Sequence, residues 1–162
     1  TVLNALTRAD VIARDEPFST LDPTTRRLIL PDDTVVLLTD TVGFISKLPP
    51  TIVTAFRATL EELQVASLLV HIVDLSSPEA TEQSQTVESI LGDLELRDKP
   101  RITALNKIDL LLSPDQEWAE ASALDYFYRQ QPPAENTVLI SATRKWGLSR
   151  LLELITEKLK TV

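Results

Sequence analysis

Five short apolar runs, most of them separated by segments long enough for a helix, constrain the fold of this chain more than any other feature. They are RRLIL (26–30), TVVLLTD (34–40), SLLVHIVD (67–74), RITALN (101–106) and TVLIS (137–141). The central runs are apolar almost throughout and do not alternate with polar residues, as in strands covered on both faces by helices. Helices are expected over 51–65, 78–94, 115–130 and 148–160. In the last, Leu148, Leu151, Leu152, Ile155 and Leu159 recur at helical spacing and form one apolar face. Ser77 before Pro78 suits a cap followed by a first helical turn. Strand-then-helix order is the signature of an α/β domain with a mainly parallel sheet. One pair departs from it, because only Pro31, Asp32 and Asp33 separate the first two runs. A parallel crossover needs a dozen or more residues, so these two strands form an antiparallel hairpin at the sheet edge.

Chemistry-bearing residues gather where such strands end. Asn106-Lys107-Ile108-Asp109 follows RITALN directly, at the carboxyl end of a strand, where open α/β sheets bind ligands. An aspartate there can accept from N1–H and the exocyclic amine of guanine together, a match that adenine lacks. The asparagine can bond the base edge and adjacent loops, and the lysine stem can cover the purine face. Asp40-Thr41-Val42-Gly43 closes a second strand. Its aspartate is placed to hold magnesium through water, and its glycine lets a backbone N–H approach a terminal phosphate. In the irregular stretch before the hairpin, Thr20 is the choice for a hydroxyl that reaches both magnesium and that phosphate. Ser141-Ala142 follows the last strand, so that an Ala142 N–H can donate to guanine O6 and the Ser141 hydroxyl can brace Asp109. Together these elements point to a GTP/GDP site with Mg2+, in a three-layer sandwich of the P-loop NTPase type.

One element of such a site is not in the sequence. A phosphate-cradling G-x-x-x-x-G-K-[ST] loop needs two glycines five residues apart, and the three glycines of the chain are Gly43, Gly92 and Gly147. Thr1 to Thr7 looks like the helix that follows such a loop, and methionine is absent even at position 1. The expectation is a single G domain over 1–162, incomplete at its N-terminus, with the loop and a central first strand lying upstream. That would leave an apolar gap in the sheet.

The net charge of −8 makes the surface as a whole repel phosphate backbones and anionic lipid. DNA is therefore not an expected partner, and no apolar run approaches the roughly 20 residues of a membrane span. The chain carries no cysteine on which a disulfide framework or thiolate metal site could be built. A cytoplasmic location is expected.

Longer strings name a family. FSTLDPTTRRL (18–28), LTDTVGFI (38–45), Leu48-Pro49 and AFRATLEEL (55–63) closely resemble the G domain of HflX proteins. The last three set that family apart from its Obg, Era and EngA relatives. The resemblance implies a GTPase that associates with the large ribosomal subunit and assists ribosome splitting or rescue. It also implies an N-terminal domain that nothing here matches. Phe44 stands where many GTPases place a water-orienting glutamine, so slow intrinsic hydrolysis stimulated by the ribosome is expected. The alternatives are a ribosome- or protein-docking module without nucleotide chemistry, and an Obg- or Era-like GTPase. The remaining tempting residues have plainer roles. His71, mid-strand, is assigned to a core or helix-covered structural role; Arg26, Arg27 and Arg57 to solvated positions; Trp118 and Trp146 to helix packing; Glu61 and Glu62 to an exposed helix face.

Overall fold

A computed structural model describes residues 1–7, 24–41 and 62–162. In chain order its elements are α1 (Val2–Thr7), β1 (Thr24–Ile29), β2 (Val35–Asp40), β3 (Leu69–Asp74), α2 (Ala80–Asp93), β4 (Arg101–Asn106), a 3-10 helix (Ile108–Leu111), α3 (Glu120–Gln130), β5 (Thr137–Leu139) and α4 (Leu148–Leu159). Residues 62–65 are also helical. The rest of the helix expected over 51–65, together with Thr20, Gly43, Phe44 and Arg57, lies outside the described residues.

β3, β4 and β5 form a parallel sheet in that order, with Asp74 paired to Asn106 and Leu105 to Leu139. Successive strand residues point to opposite faces, and the core follows that parity. Ile102, Ala104, Val138 and Ile140 face α4, where they pack with Leu151, Leu154 and Ile155. On the other face Leu69 packs with Val87 and Leu91 of α2. There Leu139 also packs with Ala123 of α3 and with Trp146. Helices thus cover both faces of a central sheet, the three layers expected of this fold class.

The hairpin forms as expected, with β1 antiparallel to β2 from Thr24↔Asp40 to Ile29↔Val35. Asp33 takes a left-handed φ of 64° at its turn, and the Asp32 carboxylate accepts from the Thr34 N–H at 3.2 Å. Leu28 and Leu30 carry the hairpin onto the α4 face of the core. A 3.0 Å ion pair from Lys160 to Asp32 fastens its turn to the end of α4.

The expected single mixed sheet is, among the described residues, two sheets, β1-β2 and β3-β4-β5. The reason is spatial. A cavity of about 670 Å³ is lined by Leu37 to Asp40 of β2 on one side, all of β3 on another, and Val2, Leu3 and Leu6 of α1. The apolar gap expected from the sequence is therefore present, and the two strands that border it are not hydrogen-bonded to each other.

Two helix starts shift from the expected positions. α3 begins at Glu120 and not at 115, because the Ser122 hydroxyl accepts from the Ala119 N–H at 3.1 Å, the reciprocal half of a capping box. The preceding residues are held otherwise, the Trp118 indole N–H donating to the Ser113 carbonyl at 3.0 Å. α2 begins at Ala80, since the Ser77 hydroxyl accepts from the Glu79 N–H at 3.2 Å and organises a turn ahead of the helix.

Candidate functional site

The parallel register sets Asp74, Asn106 and the segment after β5 side by side at the carboxyl ends of three strands. The ladder runs on past Asp74↔Asn106, with the Leu75 N–H donating to the Asn106 carbonyl at 3.0 Å. Beyond β5 the Ile140 N–H donates to the Leu105 carbonyl at 2.9 Å. Ser141 then closes a small antiparallel bridge with Trp146.

β4 leaves the sheet through Lys107, whose backbone is left-handed with φ 67° and ψ 30°. That conformation disfavours a side chain with a Cβ by about 1–2 kcal/mol, and it turns the chain abruptly into the 3-10 helix. Asn106 on the near side of the turn is buried, and its Oδ1 accepts from the Ala142 N–H at 3.1 Å. From the sequence this N–H is expected to donate to guanine O6. Here that hydrogen ties the loop after β5 to the loop after β4. Ser141, fully buried, accepts at Oγ from the Arg144 N–H at 3.1 Å, so its hydroxyl shapes its own turn.

Lys107 reaches back across the sheet, its Nζ 2.8 Å from Asp74 Oδ2. The other oxygen of Asp74 accepts from the Ser76 N–H at 3.1 Å and the Ser76 hydroxyl at 2.6 Å. Burial pushes the Asp74 carboxyl up, but the Lys107 ammonium and Ser76 outweigh it and hold the group below its ordinary range. Asp109, in the 3-10 helix, presents a buried Oδ1 that has no hydrogen-bond partner among the described residues. A buried carboxylate oxygen without a donor costs about 1–3 kcal/mol or more. Among the described residues of this cluster it is the one buried side-chain acceptor without a partner.

Three of these residues carry roles that the sequence reading missed. Asp74 anchors Lys107, and only the strand register reveals that the two meet. Glu120 Oε1 accepts from the Gly147 N–H at 2.8 Å, pinning the far end of the Ser141 turn to α3. Gly147 itself has φ 70°, and a Cβ built there would stand 2.0 Å from the Leu139 carbonyl oxygen. The last of these had a signal in the sequence, a glycine just ahead of an amphipathic helix.

Asn106, Lys107, Asp109, Ser141 and Ala142 are thus gathered at one edge of the sheet. Asp40 is placed differently, at the end of β2 on the wall of the cavity, which Asp74 also lines. Among the described residues there is no group of three or more histidine or carboxylate side chains that could hold a metal ion. Asp40 is nonetheless a hard oxygen donor at a strand end, the type of ligand magnesium takes when water and phosphate complete its shell.

A parallel sheet covered by helices on both faces, with polar side chains gathered at the carboxyl ends of its strands, is the architecture of the nucleotide-binding α/β class. Within that class the chain belongs to the family described as 50S ribosome-binding GTPase, whose model matches residues 1–107. The resemblance to HflX proteins is borne out over nearly the whole chain. It is 46% identical to GTPase HflX of Caldanaerobacter subterraneus subsp. tengcongensis over 161 residues, covering 98% of this chain and 33% of that protein. It is 36% identical to GTPase HflX of Escherichia coli over 159 residues, 98% of this chain and 35% of that one. The chain therefore spans about a third of the length of these relatives. Among solved structures, a GTP-binding protein from Sulfolobus solfataricus in complex with GDP superposes with a TM-score of 0.69 at 25% identity, over 99% of this chain and 48% of that one. Aquifex aeolicus Era bound to GDP.AlF4- gives a TM-score of 0.68 at 20% identity, over 97% and 51%, a likeness of fold. No helix among the described residues is long and apolar enough to cross a membrane.

Proposed function

We propose that this chain is the switch and base-reading portion of a GTPase that binds GTP and GDP with magnesium, hydrolyses GTP, and works in the cytoplasm with the large ribosomal subunit in splitting or rescuing ribosomes. The observation that carries the nucleotide reading is the buried, unpartnered Oδ1 of Asp109 beside the Asn106–Ala142 tie. Guanine supplies two adjacent donors that such a carboxylate accepts, and Lys107 covers the purine face. The HflX relatives and the GDP-bound neighbour support the same reading.

At the phosphate end, Asp40 and Thr20 would hold magnesium, Asp40 through water, and the Gly43 N–H would donate to the terminal phosphate. Magnesium there would neutralise charge on the transferring phosphoryl group. The cavity between β2 and β3 fits one further strand, delivering a phosphate-binding loop to the rim where Asp40 and Asp74 stand. Phe44 offers no hydrogen bond to the attacking water, so that alignment would come from other donors, a bound cation or the ribosome.

Asp109→Asn in the full-length protein tests the base site. Guanine nucleotide binding should weaken by about 10- to 100-fold, the worth of charge-assisted hydrogen bonds, while xanthine nucleotides gain. Unchanged preference for guanine would remove the assignment. For the ribosomal part, GTP turnover should rise when 50S subunits are added; equal turnover with and without them would refute it.

A further inference from the structure

Asp74 takes no part in the proposed contacts to nucleotide, yet both of its carboxylate oxygens are committed. One is fixed by the Ser76 backbone and hydroxyl, at 3.1 and 2.6 Å, and the other faces the Lys107 ammonium at 2.8 Å. The two residues meet because Asp74 lies opposite Asn106 in the parallel register and because the left-handed turn at Lys107 sends its side chain back toward β3. A lysine stem at a strand end has many rotamers. Here it is drawn along the sheet edge by an aspartate that is itself immobilised two residues before a serine.

We propose that Asp74 is a positioning residue for the purine: it holds Lys107 so that the lysine stem is laid out as one wall of the base site before nucleotide arrives. This rests on the reading of that site as a guanine pocket. The pair is half-exposed, with side chains 41% and 35% accessible, and ion pairs of that exposure add little to folding stability. Its consequence therefore lies in binding, where an unordered long side chain has to be immobilised by the ligand. Losing that order weakens nucleotide affinity by about 3- to 10-fold.

The experiment is a double-mutant cycle on GDP affinity in the full-length protein, comparing Asp74→Asn, Lys107→Met and the pair, with thermal unfolding followed alongside. Asp74→Asn should lower affinity by the stated factor with little change in Tm. In the Lys107→Met background it should have no further effect. Ser76→Ala, which keeps the charge but frees the carboxylate, should give a smaller loss, and Asp74→Glu should retain most of the affinity. Equal losses from Asp74→Asn in both backgrounds, or none in either, would overturn the inference. If Asp74→Asn fails to fold, the Ser76→Ala and Asp74→Glu arms decide: no loss from Ser76→Ala, or a loss that Lys107→Met does not abolish, also overturns it. Failure of the guanine reading looks different, for then Lys107→Met and Asp109→Asn would each leave GDP affinity unchanged.

Discussion

His71, the single histidine of the chain, sits in β3 on the wall of the cavity. Burial, and then the nearby Arg101 guanidinium, lower its pKa below 6.5, with Glu88 partly opposing. The fold thus favours the neutral ring, and the unfolded chain takes up a proton first as pH falls. The stabilisation is complete above pH 6.5 and is lost as pH drops from there toward the folded-state value. Denaturant titrations between pH 7 and 5.5 should show stability falling with pH, and His71→Gln should flatten that slope while leaving the carboxylate-driven loss at lower pH. The core or helix-covered role assigned to His71 from its mid-strand position holds only in part, since it is half-buried on a cavity wall. A strand position alone does not say whether the neighbouring strand is hydrogen-bonded or separated by a gap. The placement of Asp109 just past a strand end was legible, because it follows from the strand pattern alone. Asp74 was not, because its role exists only once two strands are placed in register.

Among the elements, α4 followed its sequence pattern closely. Leu148, Leu151 and Ile155 are buried as the helical spacing requires, with Leu154 in place of Leu152 at the centre of the face. Leu151→Ala, at a fully buried position, should cost about 2–5 kcal/mol in chemical unfolding. The turn ahead of α4 is as demanding. Gly147→Ala combines the left-handed penalty of about 1–2 kcal/mol with a collision against the Leu139 carbonyl. It should therefore lower Tm and also weaken GDP binding, because the same turn presents Ala142 to Asn106. Helix starts were less legible than helix faces. The start of α3 is set by a serine three residues inside the helix rule, and polar residues ahead of it at 115–117 read equally well as a first turn.

At the scale of the whole molecule, the acidic balance of −8 makes this region a poor surface for the ribosomal RNA contacts that the proposed function requires. In that proposal, contacts to phosphate would come mainly from segments outside residues 1–162. Removing those parts should abolish ribosome association, followed by sedimentation, while guanine nucleotide binding survives. The α/β class and the hairpin were readable because strand spacing leaves few alternatives, and the division into two sheets follows from an apolar gap that was itself foreseeable. Across that gap the two ends of the site differ in kind. The proposed base end is wired together by a hydrogen bond between residues 36 positions apart, so its parts would lose little freedom when a purine entered. GDP and GTP would then meet the same finished surface there, with neither preferred by it. A base end so fixed would act, in the proposed function, as a template common to nucleotides that share a base, leaving their discrimination to contacts with the phosphates.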